Sequence, residues 1–458
     1  MDLKNRSEIK KIFLKLVEIM EQRCRRADVL LIERKELAIS RDFSTVDVEN
    51  VSERGIKLRA YTGNKYYETH TTNLDEANLV KIAEELVANL PENKEIPLTK
   101  DFLDKDFSEK GKISPDSIKF EDKIKLTESA VQKMKNSNLQ NARCNYEEEI
   151  TYKAFCSRNK FLTQRLQRVL MLVIPYIKAE DGSTRYAFEQ ALANGYEATK
   201  DIDEKIAKVL ETIEHVKVAK RIKPGKYTTI TCPDPTGVLA HESFGHGAES
   251  DTAYKGRAKM AEHIGDKIAP DFVNIIDDPS IESAYGHYFF DDEGEFVKPT
   301  YMVKDGVITD YITESFSIER MGKKQSANGR AQSFDHKSYA RMSTTFFGQG
   351  EDSLKDMIAS VKDGIFFIGP VGGMEDPKGW GVQLQRGMAQ KIKNGILVDE
   401  YYWNVSVTGY LPTILGNIKK VSKEFEITHA SHCGKGHKEW VEVASGGPYL
   451  LIENLDLG

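Results

Sequence analysis

Two histidines and a glutamate fall within six residues of this chain, in His241-Glu242-Ser243-Phe244-Gly245-His246. Neutral imidazole nitrogens can hold a divalent metal ion, and a neighbouring carboxylate can take a proton from water that the ion has acidified. These residue types point to metal-dependent hydrolysis. Their spacing constrains the backbone. In the common H-E-x-x-H arrangement the histidines stand at i and i+4, about 40° apart around an ideal helix. Here they stand at i and i+5, about 140° apart on the same geometry. A regular α-helix cannot aim both at one ion. A one-residue π-bulge, or an early end to the helix, would bring them together. Gly245 and Gly247 flank His246 and permit either.

The neighbouring segments predict what carries the motif. Residues 227–232 are rich in β-branched side chains and read as a strand. In the following Pro233-Asp234-Pro235, Asp234 suits an N-cap and Pro235 the first helical position, so a short helix is expected over 236–246. A metal site with an open catalytic position wants a third protein ligand. His70, His215, His263, His287 and His336 have no ligand-type neighbour at metal spacing. Near the C-terminus, residues 429–437 are dense in donors, and spacing does not choose among His429, His432, Cys433 and His437. A solvated polar loop is the plain alternative there. Cys24, Cys144, Cys156 and Cys232 are widely spaced and form no C-x-x-C pair, so they read as small buried hydrophobes rather than a disulfide framework.

The segment from His241 to Glu249-Ser250-Asp251 resembles the signature of the TldD/PmbA family, in its TldD branch. Further segments fit in order: Arg54 to Gly63, Phe290-Asp291-Asp292-Glu293-Gly294, Arg341-Met342, Gly372-Gly373, Leu415-Gly416-Asn417 and Cys433-Gly434-Lys435-Gly436. The resemblance runs from about residue 25 to the end. It implies a zinc metallopeptidase in which Cys433 joins His241 and His246 as ligands, with Glu242 beside them as the base. It also implies unfolded or extended peptide substrates, and a dimer formed with a second copy or with a PmbA/TldE-like partner. The PmbA branch lacks the His-Glu motif, which this chain keeps. The resemblance leaves open whether Asp291, Asp292, Glu293 and Arg341 touch substrate or form ion pairs that brace the fold. The competing reading is a non-catalytic peptide-binding or gyrase-modulator-like regulatory scaffold with a structural zinc.

Composition bounds the rest. The chain has 458 residues, 40% of them hydrophobic and 30% charged, as in a globular protein of two or more domains. Sixty-five basic against 71 acidic residues leave a net charge of −6, which gives no electrostatic case for nucleic acid. The first residues show no basic head with an apolar core, and no apolar run approaches the ~20 residues of a membrane span, so a cytoplasmic protein is expected. Apolar residues at helical spacing predict helices over 7–25 (Ile12, Phe13, Leu16, Val17, Met20), from a capping box at Asn73 and Glu76, and from Phe120 to Met134, and a charged helix is expected over 201–214. β-type runs fill 29–67 and 150–195, and the polar stretch 91–115 reads as a linker or loop. Lys223-Pro224-Gly225 marks the main break. Beyond it, Asp305-Gly306, Asp363-Gly364 and Asn394-Gly395 each read as a hairpin turn. The expectation is an α+β protein. An α/β domain over 1–222 would hold a mixed or antiparallel sheet, with a possible sub-boundary at 91–115. A β-rich metallopeptidase domain over 223–458 would carry the short metal-binding helix. The glycines of Gly372-Gly373 and Gly434-Lys435-Gly436 would let a peptide backbone approach a sheet edge closely.

Overall fold

The computed structural model describes residues 5–62, 65–88, 90, 102–109, 111–135, 138–436 and 439–458. Gly63, His437 and residues 91–101 of the expected linker lie outside them. The chain is α+β. An eight-stranded sheet takes its strands from residues 26–193 and an eleven-stranded sheet from residues 225–457.

The first sheet runs in the order Lys65–Thr71, Val46–Thr62, Arg26–Arg41, Leu139–Ser157, Lys160–Lys178, Leu103–Ser108. Its neighbours are antiparallel except for the last pair, which is parallel. Side chains alternate faces along a strand. Val29 and Leu31 pack under the helices Arg6–Glu21 and Glu76–Ala88, while Leu30 and Ile32 face Phe290 and Phe334 of the other half. Burial on both faces explains the unbroken apolar run at the start of that strand. Further along, Leu37 and Ile39 meet the helices Phe120–Met134 and Ile202–Val218.

Local chemistry moved several expected boundaries. The second helix starts at Glu76 without the Asn73 capping box. Instead Asp75 Oδ1 accepts from Ala77 N (2.9 Å), and Asn73 Oδ1 accepts from Asp75 N (3.1 Å). Phe120 begins its helix above the packed turn and stays exposed. The stretch expected as a linker contains the strand Leu103–Ser108, whose polar sequence suits its place at the sheet edge.

The second sheet is mixed. Its longest antiparallel pair joins Ile418–Lys435 to Glu439–Leu457, while Thr344–Phe347 runs parallel to the latter. Asp305-Gly306 and Asn394-Gly395 form hairpin turns, each pair with positive φ as a type I′ turn requires. Asp363-Gly364 does not. It opens the strand Asp363–Ile368, and a Cβ on Gly364 would stand 2.5 Å from Thr228 O, so this glycine serves a close backbone approach. The helix Pro233–Ala240 lies against the sheet so closely that a Cβ on Gly237 would sit 2.2 Å from Gly446 N. Among the described residues no helix is long and apolar enough to cross a membrane.

Candidate metal centre

The motif-bearing helix begins earlier than the sequence suggested. Pro233, not Pro235, takes the first helical turn, with Cys232 at the cap. Asp234 is occupied elsewhere: its Oδ1 accepts from Val371 N at 3.2 Å and so holds the link between the strands Asp363–Ile368 and Gly372–Asp376. The α-helix ends at Ala240 and continues as one π turn, His241–Gly245. Within it His246 N donates to His241 O at 3.2 Å, an i to i+5 bond. This is the π-bulge, one of the two arrangements that the spacing allowed. It turns both rings to one side, with centroids 5.1 Å apart and planes at 87°. Gly245 is needed for space, because a Cβ there would stand 2.1 Å from Met342 Sδ.

Cys433 arrives from the strand Ile418–Lys435. Ligand atoms of His241, His246 and Cys433 all lie within 4.8 Å of one another, and His246 Nε2 is 3.3 Å from Cys433 Sγ. Two ligands of one tetrahedral zinc ion, with Zn–N near 2.0–2.1 Å and Zn–S near 2.3 Å, stand roughly 3.5 Å apart. The residues therefore fit such an ion. Electrostatics agrees. Burial alone would raise the Cys433 thiol, yet the adjacent His246 and His241 hold it well below its usual range. A buried thiolate against two imidazoles is a donor set that a divalent cation satisfies. Alternation along the strand separates Cys433 from its neighbour: His432 faces the other way, its Nε2 3.4 Å from Tyr285 Oη. The side chain of His429 is not among the described ones.

A second tier of residues holds these donors. Glu249 is buried, and Lys435 Nζ sits 2.9 Å from its Oε2. Its Oε1 lies 3.6 Å from both His246 Nδ1 and Arg341 Nε and makes no hydrogen bond of its own. Burial would raise this carboxyl, but Lys435, then His246, hold it at about 2. His246 thus presents Nε2 to Cys433 and turns Nδ1 toward an ionised carboxylate at 3.6 Å, which acts on the ring through its charge rather than through a hydrogen bond. Arg341 also donates from Nη2 to Cys433 O at 2.5 Å, tying the cysteine strand to the same cluster. We expect Glu249→Gln to weaken metal affinity by roughly 10- to 100-fold. A competition titration with a chromogenic chelator reads this. Unchanged affinity would mean that packing alone orients His246.

Glu242 lies beside His246 with Glu375, a residue the sequence reading missed. Burial pushes Glu375 up to about 7, with His246 opposing and Glu242 adding to the rise. Glu375 is carried by the strand Gly372–Asp376, where a Cβ on Gly373 would stand 2.4 Å from Glu242 Cγ. The glycine therefore makes room for the glutamate. Only its place two residues after that glycine pair could have flagged Glu375.

The open question of residues 291–293 has a structural answer. Asp291 accepts from the backbone of Glu293, Glu295 and Gly329. Asp292 pairs with Lys153 at 2.5 Å, and Glu293 Oε2 accepts from Ser315 N and Oγ at 2.7 Å. All three brace the fold, and Asp292 does so across the two halves. Cys24, Cys144, Cys156 and Cys232 are free thiols apart from this cluster.

Comparison with known proteins adds ancestry to this geometry. Residues 224–458 match the profile of the PmbA/TldA metallopeptidase C-terminal domain. A metalloprotease of Methanocaldococcus jannaschii is 29% identical over 341 residues, 74% of each chain. A zinc metalloprotease TldD homolog of Saccharolobus solfataricus is 26% identical over 260 residues, a stretch spanning 57% of that protein. The crystal structure of TldE from Thermococcus kodakarensis superimposes with a TM-score of 0.75 over 97% of this chain and 99% of the other. At 14% identity, that likeness is one of fold.

Proposed function

This chain belongs to the PmbA/TldD metallopeptidase family, and on that footing we propose that it is a zinc-dependent peptidase acting on unfolded or extended peptides. The observation that carries the reading is the convergence of His241, His246 and Cys433, with Glu242 on the same π turn. These three side chains would hold the zinc. When bound, zinc supplies Lewis-acid polarisation of the scissile carbonyl and lowers the pKa of water. Glu242 accepts the proton of the attacking water and delivers it to the leaving amine. One thiolate among the ligands makes the metal a weaker acid than three imidazoles would, so more of the work falls on Glu242. Glu249 places a negative charge beside His246 Nδ1, and Arg341 anchors the backbone of Cys433.

The strand Gly372–Asp376 supports an extended substrate. It borders Glu242, and among the described strands it pairs only with Gly381–Lys393, which leaves its other edge open. A peptide added there gains main-chain hydrogen bonds with modest selectivity among side chains. A cytoplasmic setting and pairing with a second copy or a TldE-like chain belong to the same reading. Five free cysteines suit a reducing compartment, and light scattering of the chain alone and with such a partner tests the pairing.

The decisive experiment compares one protein in folded and unfolded forms, with a scrambled-sequence peptide, before and after chelation. We expect cleavage of the unfolded forms alone, restored by zinc. Equal cleavage of the folded form, or strict dependence on one side chain, would sink strand addition. Chelator-insensitive cleavage would sink the metallopeptidase itself.

A further inference from the structure

Three ammonium groups converge on one ring beside the metal centre. Lys255, Lys337 and Lys435 place their Nζ atoms 5.9, 5.5 and 5.5 Å from the centroid of Tyr339. Two of them are neutralised: Lys435 by Glu249 and Asp251, at 2.9 and 2.5 Å, and Lys255 by Asp251 at 3.3 Å. Lys337 is different. Its neighbours are the rings of Tyr66, Phe316 and Tyr339, at 5.3, 4.9 and 5.5 Å, and no carboxylate of the described residues is in ion-pair contact with it. Of the three lysines around this ring, the half-buried Lys337 is the one with no carboxylate of the described residues in ion-pair contact.

The platform adjoins the candidate active site. Lys435 is two residues beyond Cys433, bonds Glu249 on the side of His246, and lies over Tyr339 on the other. Tyr66 comes from the first sheet and Tyr339 from the catalytic half, so the platform spans the seam between them.

We propose that Lys337, on the ring of Tyr339, is an anchoring subsite for a carboxylate of the peptide substrate, a few residues from the scissile bond. The inference rests on the peptidase reading above. A carboxylate arriving there gives Lys337 the ion-pair partner that it lacks among the described residues. The rings shield the pair from water on one side, which makes it worth more than an open surface pair. Main-chain pairing at the strand edge would supply affinity without sequence, and this subsite would supply a preference for acidic or carboxyl-terminal segments. The carboxylate can come from an acidic side chain or from the free C-terminus of the peptide.

The test uses the full zinc-loaded chain with Glu242→Gln, so that binding is read without turnover. A labelled unfolded peptide with a free C-terminus and two glutamates is compared, by fluorescence anisotropy, with its C-terminally amidated form and its Glu-to-Gln form. We expect one of the two neutralised peptides to bind about fivefold more weakly at low salt, near the upper end for a half-exposed ion pair. The difference should shrink in high salt. Which form loses affinity identifies the source of the carboxylate. Lys337→Met, which keeps the apolar stem on the rings, should abolish the difference and bind all three peptides alike. In turnover with Glu242 intact, the same substitution should raise KM for the carboxylate-bearing peptide and leave kcat unchanged. Lys337→Gln serves as a second variant, with thermal unfolding to show that both fold. Undiminished discrimination in both variants, or equal binding of all three peptides to the parent chain, overturns the subsite while leaving the peptidase intact. Failure of every peptide to bind or be cleaved overturns both.

Discussion

Glu242→Gln should keep its zinc and its peptide and lose turnover by ~10²-fold or more, the usual scale for removal of a general base. Glutamine reproduces the shape of glutamate, so the space that Gly373 leaves for this side chain stays filled and the π turn is undisturbed. What disappears is the ability to accept a proton. Glu375 stands close by on the strand Gly372–Asp376, its carboxyl pushed up by burial to about 7, so Glu375→Gln is measured alongside to assign any residual turnover. Hydrolysis rates, metal content and peptide binding measured on one preparation separate the possibilities. Near-normal turnover would reject Glu242 as the base. Loss of zinc along with activity would show that the carboxylate is itself a ligand.

Cys433→Ser should lose the metal and keep the fold. A serine hydroxyl does not ionise as the thiol does under two imidazoles, so the site loses its only anionic donor. The loss of affinity should exceed the ~10- to 100-fold that removal of an outer partner costs. The strand itself has little reason to move. Cys433 pairs through its backbone with Val441, and Arg341 holds its carbonyl rather than its sulfur. A chain of this length builds its core without a metal. Thermal unfolding of the zinc-free parent and the zinc-free variant should therefore coincide, while only the parent gains stability on adding zinc. Full zinc occupancy in the variant would remove Cys433 from the site.

The sequence determined what depends on neighbours a few residues apart. An i, i+5 histidine pair stands about 140° apart on a regular helix, so spacing alone required a π-bulge or an early helix end, and the structure has the π turn at 241–245. The helix at the start of the first half followed from apolar periodicity, and the turn at Asn394-Gly395 from its dipeptide. The same local rules erred where a side chain had a competing use. Asp234 left the helix cap to hold Val371, and Gly364 served a close approach rather than a turn. Tertiary structure decided whatever joins distant segments. Cys433 and His246 are 187 residues apart, and strand register, not spacing, turned Cys433 inward and His432 outward. Glu375 entered the site because its strand packs over the π turn, and Glu249 found Lys435 across the same gap. Asp292 became a brace because Lys153 faces it from the other sheet. One sequence reading carries the periodicity of each element but not the pairing between elements, and the chemistry of this site lies in the pairing.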